Sequence, residues 1–567
     1  MKTPITKRVL ALLILGCLWI TSDQLKAQTV YNFGTAKKEG HQIMQQTNKN
    51  IVINYSIAQL NIDKRVIDDG SEKQNVSIAG VFLPNEAGAP DLPSSLRYIA
   101  VPQGAKAVLK IISVETETLP NMEIAPAPVI PLDEIDKIGE PLVYKVDQAI
   151  YSRNAFYPEQ PVIMSEPMQI RGIDVVSLGI SPFQYNPVTK DLVVYKNITI
   201  EISYEGGSTH FGEDAYRSRW WNPILEDVIM NYNQLPEIDY NARLQKALEE
   251  QSITAADDGC EYAIIIPTNP EFAIWADSIK KFRTEQGVYT KIYKLTDIGG
   301  NTVAAIKAWV TDAYKNWKIK PAAMLLLGDF GTNAASTVIS TKSPGFASDN
   351  YYSDVTGDNL PDIAFARIAA NNDAQLKVMC TKFLNYERNP PTDAAFYDKP
   401  LSAVGWQDDR WYQLGVEIVG GFMKSINKHP VRVNNPSSPA DNTGGNTAGA
   451  GNWSTTNATT IVNYFGDNGL KYIPNKPGTL GGFTGGTAAQ INTAISDGAF
   501  IAFHRDHGLY AGWHRPSYQN TNLTSLKNVN NKLPFVFSIN CNTGEYQTGT
   551  DCFAEKFHRY TYNGQNS

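Results

Sequence analysis

Two patterns of apolar residues divide the chain into regions of different structure. From residue 28 to about 250, apolar and polar residues alternate, as in "QGAKAVLKIISVETETL" (103–119) and "DLVVYKNITIEISYEG" (191–206). A period of two is typical of strands with one buried face, and helical periodicity is scarce in this region. We therefore predict that it forms one or two antiparallel sheets.

After residue 260 the pattern changes to short apolar runs that alternate with segments of helical period. Strands that alternate with helices indicate βαβ units and a largely parallel sheet. A second unit of this kind begins near residue 396. The predicted strands are 260–268, 288–295, 322–329 and 362–368 in the first unit and 400–406 and 533–540 in the second, and the predicted helices are 270–286, 301–316, 372–387, 409–427, 486–496 and 551–560.

These patterns predict four parts of the chain. Residues 1–27 have a basic start and an apolar stretch of 12 residues from Val9 to Ile20, as a secretory signal peptide has. The stretch is too short to span a membrane, and no later segment is apolar for long enough. We therefore expect an exported protein, secreted or at the cell surface, without a transmembrane anchor. The other parts are a β-rich region at 28–255 and two α/β subdomains at 256–395 and 396–567.

Composition narrows the classes of function. The formal net charge is −7, so the chain has no excess of basic residues to neutralise phosphates, and we do not expect a nucleic-acid partner. Only five cysteines occur, and Cys17 lies in the predicted signal peptide. The other four are too few for a disulfide scaffold, and their spacing matches no zinc motif. We expect no catalytic cofactor.

Two apolar runs of the second α/β unit end in residues that suit nucleophilic catalysis. "AFIAFHRDHGLYAGW" (499–513) carries His507 followed by Gly508, and "FVFSINCNTGEY" (535–546) carries Cys541. If the two strands are parallel neighbours, the imidazole and the thiol share the sheet edge where catalytic groups gather. The imidazole would then exchange a proton with the thiol or the leaving amine. The glycine would let its backbone N–H approach a developing oxyanion.

Other residues near these tips compete for the same roles. His504 lies three residues before His507, and His514 lies in the following loop, but neither is followed by glycine. The third catalytic member stays open between Asp506 and Asp329, and core packing is expected for Cys260, Cys380 and Cys552.

Several motifs occur together along most of the chain. They are "GAPDLPSSLRYIAVPQGAK" near the start, then "GDFGTN", "SDNYYSD", "DIAFARI" and "NYERN", and finally "DHG" and "INCNTG". In this order they resemble the propeptide and the catalytic unit of gingipain-type cysteine peptidases, in the caspase-like clan. The resemblance implies that Cys541 is the nucleophile and His507 the general acid/base, with the N–H groups of Gly508 and Cys541 as the oxyanion hole.

The resemblance also implies a zymogen with a caspase-like catalytic unit. Its substrates would be proteins or peptides, and its own propeptide, residues 28–255, would cover the cleft as an intramolecular inhibitor until it is cleaved. Asp349 sits where the resembling enzymes place the acid that binds a basic side chain, which predicts cleavage after Arg or Lys and self-processing after Arg243 or Lys246. The alternative for Asp349 is a loop carboxylate that caps a turn.

The loop "DVTGDNLPD" carries three regularly spaced acids, Asp354, Asp358 and Asp362. Carboxylate oxygens on a glycine-bearing loop are ligands that calcium takes, although the spacing is not that of an EF-hand. The resemblance implies structural calcium in this family without fixing its ligands. We state these three residues as a candidate structural calcium site.

Two other functions are compatible with the same residues. A sortase-like transpeptidase that processes exported surface proteins would use the same dyad and transfer the acyl group to an amine instead of water. An inactive surface-binding homologue would keep the fold and lack reaction at Cys541. The sequence also stops after the predicted helix at 551–560, where a parallel unit would return to the sheet, so we expect the protein to continue beyond residue 567.

Overall fold

A computed structural model describes most of the chain. No helix in the described part combines the length and the apolar composition that a membrane span requires. The predicted signal peptide, 1–27, lies outside the described residues. The described residues are 29–34, 38–83, 85–130, 140, 142–251, 259–342, 345–407, 410–435, 453, 458–480 and 485–563.

The amino-terminal region is built mainly from antiparallel strands, with three helices towards its end. Its strands are β1 Thr29–Asn32, β2 Gly40–Gln46, β3 Asn50–Ser56, β4 Gln59–Val66, β5 Glu72–Ser77, β6 Ser95–Ala100, β7 Lys106–Leu119, β8 Val162–Met164, β9 Met168–Ile170, β10 Ile173–Ile180, β11 Phe183–Asn186 and β12 Asp191–Glu205. Its helices are α1 Gln148–Tyr151, α2 Asn222–Val228 and α3 Tyr240–Gln251.

The strands of this region form three sheets, where the sequence predicted one or two. The orders are β1-β4-β5, β6-β10-β8 with β9 also on β10, and β11-β12-β3-β2 with β7 also on β12. Strand β12 alternates buried and half-buried residues, as predicted. Strand β7 is mostly exposed, and the prediction of a buried face was wrong there, because β7 pairs only with β12 and lies at the edge of its sheet.

The first α/β subdomain holds a parallel sheet of order β14-β13-β15-β18, covered by helices on both faces. Its apolar strand runs become buried because each face meets its own cluster of helix side chains, as α/β packing requires. Its strands are β13 Tyr262–Ile266, β14 Thr290–Lys294, β15 Ala323–Leu327, β16 Thr341–Lys342, β17 Ala347–Ser348 and β18 Ala364–Ile368, and its helices are α4 Pro270–Glu285, α5 Val303–Asn316, α6 Asn350–Ser353 and α7 Asp373–Arg388.

The second α/β subdomain repeats this topology, with a parallel sheet of order β20-β19-β21-β25 and a small hairpin sheet beside it. Among the described strands β25 lies at the sheet edge, where Phe535 and Phe537 are 60% and 49% exposed. The strands are β19 Leu401–Val404, β20 Val431–Asn434, β21 Ile501–Arg505, β22 Gly508–Leu509, β23 Gly512–Trp513, β24 Tyr518–Gln519 and β25 Phe535–Ile539, and the helices are α8 Tyr412–Ser425, α9 Ala458–Phe465, α10 Ala488–Ser496 and α11 Phe553–Arg559.

The amino-terminal region packs against both α/β subdomains. Trp221 shares a buried cluster with Ala322 of the first subdomain and donates its indole N–H to the Ala322 carbonyl, at 2.9 Å. The fully buried Arg171 donates from Nη1 to the carbonyl of Asp362, at 2.7 Å. Phe82 stacks on Phe465 of the second subdomain, with ring centroids 6.0 Å apart. The amino-terminal region is therefore joined to the first α/β subdomain by buried contacts and to the second by a partly exposed aromatic contact.

Candidate active site

The site lies where β21 and β25 end. The two strands are parallel neighbours, with Arg505 opposite Ile539, as the sequence predicted. His507 follows β21 and Cys541 follows β25 by two residues each, so both lie at the carboxyl edge of the sheet. This is the edge at which open α/β sheets bind their ligands.

Gly508 brings the two strand tips into backbone contact. A Cβ atom at this position would overlap the carbonyl oxygen of Cys541 and would lie 2.8 Å from Oδ1 of Asn540. A backbone carbonyl cannot yield as the end of a flexible side chain can, so a residue with a side chain does not fit here. The glycine after His507 therefore sets how closely the imidazole segment approaches the cysteine turn.

The imidazole of His507 is buried and held by a residue that the sequence analysis missed. Its Nε2 lies 2.7 Å from Oε1 of Gln407, and the ring meets the edge of Tyr412 at a centroid distance of 5.5 Å. Since an amide oxygen only accepts, Nε2 carries the proton and Nδ1 carries the lone pair that a general base needs. The signal in the sequence was the predicted strand at 400–406, because Gln407 follows the strand that neighbours β21.

Cys541 differs from the other described cysteines in its exposure. It is half-buried, whereas Cys260, Cys380 and Cys552 are buried, as expected for core thiols. Burial raises the pKa of Cys380 and of Cys552 to about 12, which keeps both as neutral thiols. Cys552 lies at the N-cap of α11 rather than within the helix. Cys541 is thus the described thiol that a reagent or substrate can reach.

His504 is not arranged as a general base. It is fully buried, and both ring nitrogens bond inside the protein, Nδ1 to Asn540 Nδ2 at 2.7 Å and Nε2 to the Arg515 carbonyl at 2.9 Å. The ring stacks on Trp513, with centroids 4.2 Å apart and planes within 1°. Burial lowers the pKa of His504 to about 4, so the ring is neutral at physiological pH.

The two acids considered as a third catalytic member make other contacts. The buried carboxylate of Asp506 lies 3.6 Å from Nδ1 of His514, across the loop that follows His507. Asp329 accepts from Arg559 at 2.8 Å and from Asn371 at 2.5 Å, at the tips of the first sheet. Among the described residues, Gln407 hydrogen-bonds to the imidazole of His507.

Asp349 is paired with an arginine of its own subdomain. Its two carboxylate oxygens accept from Nε and Nη2 of Arg367, each at 2.8 Å, and Ser340 Oγ bonds to the same carboxylate. Arg367 is 6% exposed, so the pair is largely removed from water. A carboxylate whose charge is met by a buried guanidinium has no charge left for a substrate, and the geometry does not support the predicted role in binding a basic side chain.

The acids of the loop at 354–362 bond to the loop backbone. Asp354 accepts from Gly357 N at 2.7 Å, and Asp362 accepts from Val355 N and Thr356 N at 2.7 and 2.8 Å. Asp358 bonds to the N–H of residue 360. Within the described ranges, no group of three or more His, Cys, Asp or Glu side chains is arranged to hold a metal ion. The carboxylate oxygens thus accept hydrogen bonds from the loop backbone and cap its turns, an arrangement that does not fit the predicted calcium site.

Arg243, one of the two residues expected at the processing site, lies inside helix α3. Its guanidinium donates to the carbonyls of Asp214 and Arg217. A peptidase binds its substrate in extended form, so cleavage after Arg243 would require this helix to unfold locally.

Two family models match the chain. The model of peptidase family C25 matches residues 255–565, and the model of its propeptide, Propeptide_C25, matches residues 37–234. The two matches are separated by residues 235–254, which lie at the end of the β-rich region.

Curated proteins of Porphyromonas gingivalis are similar to the chain over most of its length. Gingipain R1 is 23% identical over 494 residues, which are 86% of this chain and 43% of that protein. Lys-gingipain HG66 is 23% identical over 512 residues, 88% of this chain and 26% of that protein. Gingipain R2 is 24% identical over 499 residues, 85% of this chain and 57% of that protein. The chain thus spans between a quarter and somewhat over half of the length of these relatives.

Solved structures of related proteins also match. The crystal structure of the Arg-specific cysteine proteinase gingipain R matches 54% of this chain and 60% of its own, at 18% identity and a TM-score of 0.40. A complex of pro- and mature domains from Porphyromonas gingivalis matches 34% of this chain and 97% of its own, at 21% identity and a TM-score of 0.30.

Proposed function

The chain belongs to peptidase family C25, whose model matches more than half of its residues, and on that premise we propose that it is a cysteine endopeptidase made as a zymogen. The observation that carries this proposal is the contact between the two strand tips. Gly508 touches the backbone of Cys541, with His507 on one side of the contact and the half-buried thiol on the other.

The reaction assigns one role to each residue of the two tips. The thiol of Cys541 attacks the substrate carbonyl, and its proton passes to Nδ1 of His507 while the sulfur–carbon bond forms. The carbon–nitrogen bond then breaks, and the leaving amine takes the proton from His507. Water hydrolyses the thioester and restores the thiol. Gln407 keeps the imidazole in the tautomer that this sequence needs.

Gly508 and Cys541 are the proposed donors of the oxyanion hole. His514 N donates to the carbonyl of His507 at 3.0 Å, and Gly508 faces Trp513 in the register of the hairpin. Bonded and non-bonded pairs alternate in an antiparallel ladder, so the N–H of Gly508 points away from Trp513. That direction suits a donor to a negatively charged oxygen outside the hairpin.

The β-rich region is proposed to be the inhibitory propeptide of an exported enzyme. Its match to the propeptide model, its buried contact with the first α/β subdomain and its aromatic contact with the second support this role. The signal-like segment at 1–27 supports export. We place the processing cut between residues 244 and 260, in the interval where the propeptide and peptidase regions meet.

Cleavage after Arg or Lys is proposed from the relatives, which include an Arg-specific proteinase and Lys-gingipains. Because Asp349 is paired with Arg367, the acid that would bind the substrate side chain is a different one. A peptide library with every residue before the scissile bond tests this specificity. Equal cleavage after Leu and Arg would contradict it.

The function is tested on the full-length chain after processing. A thiol-directed peptide probe is expected to label the wild type at Cys541 and to leave Cys541→Ala unlabelled, and hydrolysis of protein substrates is expected to follow the same pattern. Amino-terminal sequencing of the processed form is expected to find its first residue between 244 and 260. A wild type that folds yet neither reacts with the probe nor cleaves would overturn the proposal.

A further inference from the structure

His504 is fully buried close to the reacting groups, yet the reaction above gives it no role. Its two ring nitrogens form hydrogen bonds with the two loops that surround the site. Nε2 donates to the carbonyl of Arg515, in the loop after His507. Nδ1 accepts from the side-chain amide of Asn540, the residue before Cys541. The imidazole therefore links the two loops through one rigid ring.

Asn540 connects His504 to the turn that carries Cys541 by hydrogen bonds. Its Oδ1 accepts from Ser538 Oγ at 3.0 Å and from Thr543 Oγ1 at 2.7 Å, so the side chain joins the residues on both sides of Cys541. Thr543 N donates to the carbonyl of Cys541 at 2.8 Å and closes the turn. The amide of Asn540 is thus bonded at both ends, to the turn through its oxygen and to His504 through its nitrogen.

The turn that carries Cys541 is hydrogen-bonded on several sides. Asn542, directly after Cys541, has a φ of +62°, in the left-handed region that asparagine adopts more readily than most residues. Trp513 donates its indole N–H to Ser538 Oγ at 2.8 Å and stacks on His504. The result is a connected polar network around the thiol, and buried networks of this kind fix one conformation when their members are satisfied.

We propose that His504 is a positioning residue for the reaction, which acts through Asn540 to fix the turn that presents the thiol of Cys541 to His507. The proposal rests on the proposed peptidase function. A purely apolar ring would fill the same volume beside Trp513, but it would leave the amide of Asn540 without its buried acceptor. Only an acceptor at the place of Nδ1 keeps the turn in register with the neighbouring strand.

Two substitutions distinguish the contributions of the two ring nitrogens of His504. In His504→Asn the side-chain oxygen reaches about as far as Nδ1 and is able to accept from Asn540. In His504→Gln the polar group reaches about as far as Nε2 and bonds towards Arg515 instead. We expect His504→Gln to lower kcat by about tenfold to hundredfold, with KM changed less than about threefold, since a small misplacement of a reacting group has effects of that size. His504→Asn should recover most of this loss.

The control is a second histidine of similar environment away from the turn. Burial lowers the pKa of His558 on α11 to about 4 as well, and its ring bonds to the carbonyl of Met379. His558→Asn and His558→Gln are expected to lower thermal stability about as much as the His504 pair and to give equal kcat values. If the two His504 variants also share one kcat value, whether lowered or normal, the proposal is wrong.

A double-mutant cycle tests whether His504 and Asn540 act through the same hydrogen bond. Asn540→Ala removes the same hydrogen bond from the other side. If His504 acts through Asn540, the variant with both His504→Gln and Asn540→Ala loses no more kcat than the worse single variant. Losses that multiply would show independent roles and would overturn the proposal.

A readout that does not need peptidase activity separates this proposal from the proposed function. The rate of alkylation of Cys541 by iodoacetamide, mapped by mass spectrometry on the full chain, should fall in His504→Gln and recover in His504→Asn. The other described cysteines are buried, and Cys541→Ala supplies the background. A wild type without peptidase activity that still shows this difference would remove the proposed function and keep the positioning role. Equal alkylation rates in both variants would remove the positioning role alone.

Discussion

The two parallel sheets of the α/β subdomains have the same strand order and different chemistry at the same tips. In the first sheet the third and fourth strands, β15 and β18, are followed by Asp329 and Asn371, which bond to each other. In the second sheet the corresponding strands, β21 and β25, are followed by His507 and Cys541. One topology thus brings two tips together twice, and the residues at the tips decide whether the pair joins the strands or reacts.

The hydrogen-bond partners near the strand tips also differ between the two sheets. Asp329 also pairs with Arg559 of α11, which links the first sheet to the second subdomain. In the second sheet the neighbours of the tips, Asn540 and His504, bond to each other and leave the thiol half-exposed. The neighbours of the tips thus bond across the two subdomains in the first sheet and to each other in the second.

The sharpest test exchanges the fourth-strand tips for alanine. Cys541→Ala should lower the hydrolysis rate by at least about 10⁴-fold, because the nucleophile is lost, while the free energy of unfolding changes by less than about 1 kcal/mol. Asn371→Ala should do the reverse, with about 1–3 kcal/mol less stability and a rate within a few fold of wild type. Kinetics and urea unfolding on the same samples decide. A comparable loss of activity in Asn371→Ala would end the contrast between the sheets.

The buried pair of the first subdomain should contribute stability and no specificity. Asp349→Asn leaves the charge of Arg367 without its partner, and we expect about 3–5 kcal/mol less stability by urea unfolding, with the preference for Arg or Lys unchanged. Asp398→Asn is the control, because Asp398 pairs with the exposed His429 and should cost less than about 1 kcal/mol. Loss of the basic preference in Asp349→Asn would restore the original prediction for this residue.

Acid should weaken the second α/β subdomain more than the first, because no histidine occurs between residues 211 and 428. Burial lowers the pKa of His504 and His558 from 6.5 to about 4. Between these pH values the unfolded chain binds a proton that the folded protein does not, so stability falls as the pH falls from 6.5 to 4. Each histidine contributes roughly 2–3 kcal/mol of this loss at pH 4.5.

Glu555 works in the opposite direction over part of this range. Burial raises its pKa from 4.5 to about 7, so the folded protein binds a proton between these values that the unfolded chain does not, and this stabilises the folded state as the pH falls. Because His558→Asn removes one of the two buried imidazoles, its free energy of unfolding should fall less between pH 7 and pH 4.5 than that of the wild type. Urea unfolding at the two pH values measures this difference. The same loss in both would contradict the assignment of His558 as a buried neutral imidazole.

The smallest expected effect compares the glycines after the third strands. Gly508→Ala should lower kcat by about hundredfold, or about 3 kcal/mol, because its Cβ would overlap the carbonyl of Cys541 and displace the turn. In Gly328→Ala the new Cβ lies 3.0 and 3.1 Å from side-chain atoms of Val338 and Pro267, so the neighbours need to move by only a few tenths of an ångström. Its effect on kcat should be less than threefold by the same relation, about 0.6 kcal/mol or less. Equal kcat losses would show that the tip contact has no special role.

Sequence reasoning succeeded where the signal is local. Many strands and helices of the α/β units were predicted within a few residues, because their apolar periodicity is a property of each segment, as for α4 and β15. Strand β20 and helix α9 were not predicted. The adjacency of His507 and Cys541 followed from the rule that parallel strands end at one edge. The number of amino-terminal sheets was missed, because strand pairing there is decided by contacts between distant segments.

The partners of the site residues were less predictable. Gln407 lies 100 residues from His507 in the sequence, and its place after the predicted strand at 400–406 does not by itself identify it as the partner of His507. Asp349 was assigned by resemblance, and its pairing with Arg367 of β18 depends on contacts between residues that are distant in the sequence, as the bond from Arg367 to Ser340 also does. Hydrogen-bond partners across elements require the register of the whole sheet, which a single sequence does not supply.

The contacts of Arg171 and Trp221 with the first subdomain have a consequence for the kinetics of activation. Cutting the chain between residues 244 and 260 leaves both contacts in place, because they lie well before the cut and do not depend on chain continuity. If the β-rich region is the inhibitory propeptide proposed above, the immediate product is a two-chain complex, and the active species forms only when this complex dissociates. By mass action the active fraction rises on dilution and falls as the cleaved protein is concentrated. The enzyme would remain latent where it is produced in quantity and become active where it spreads.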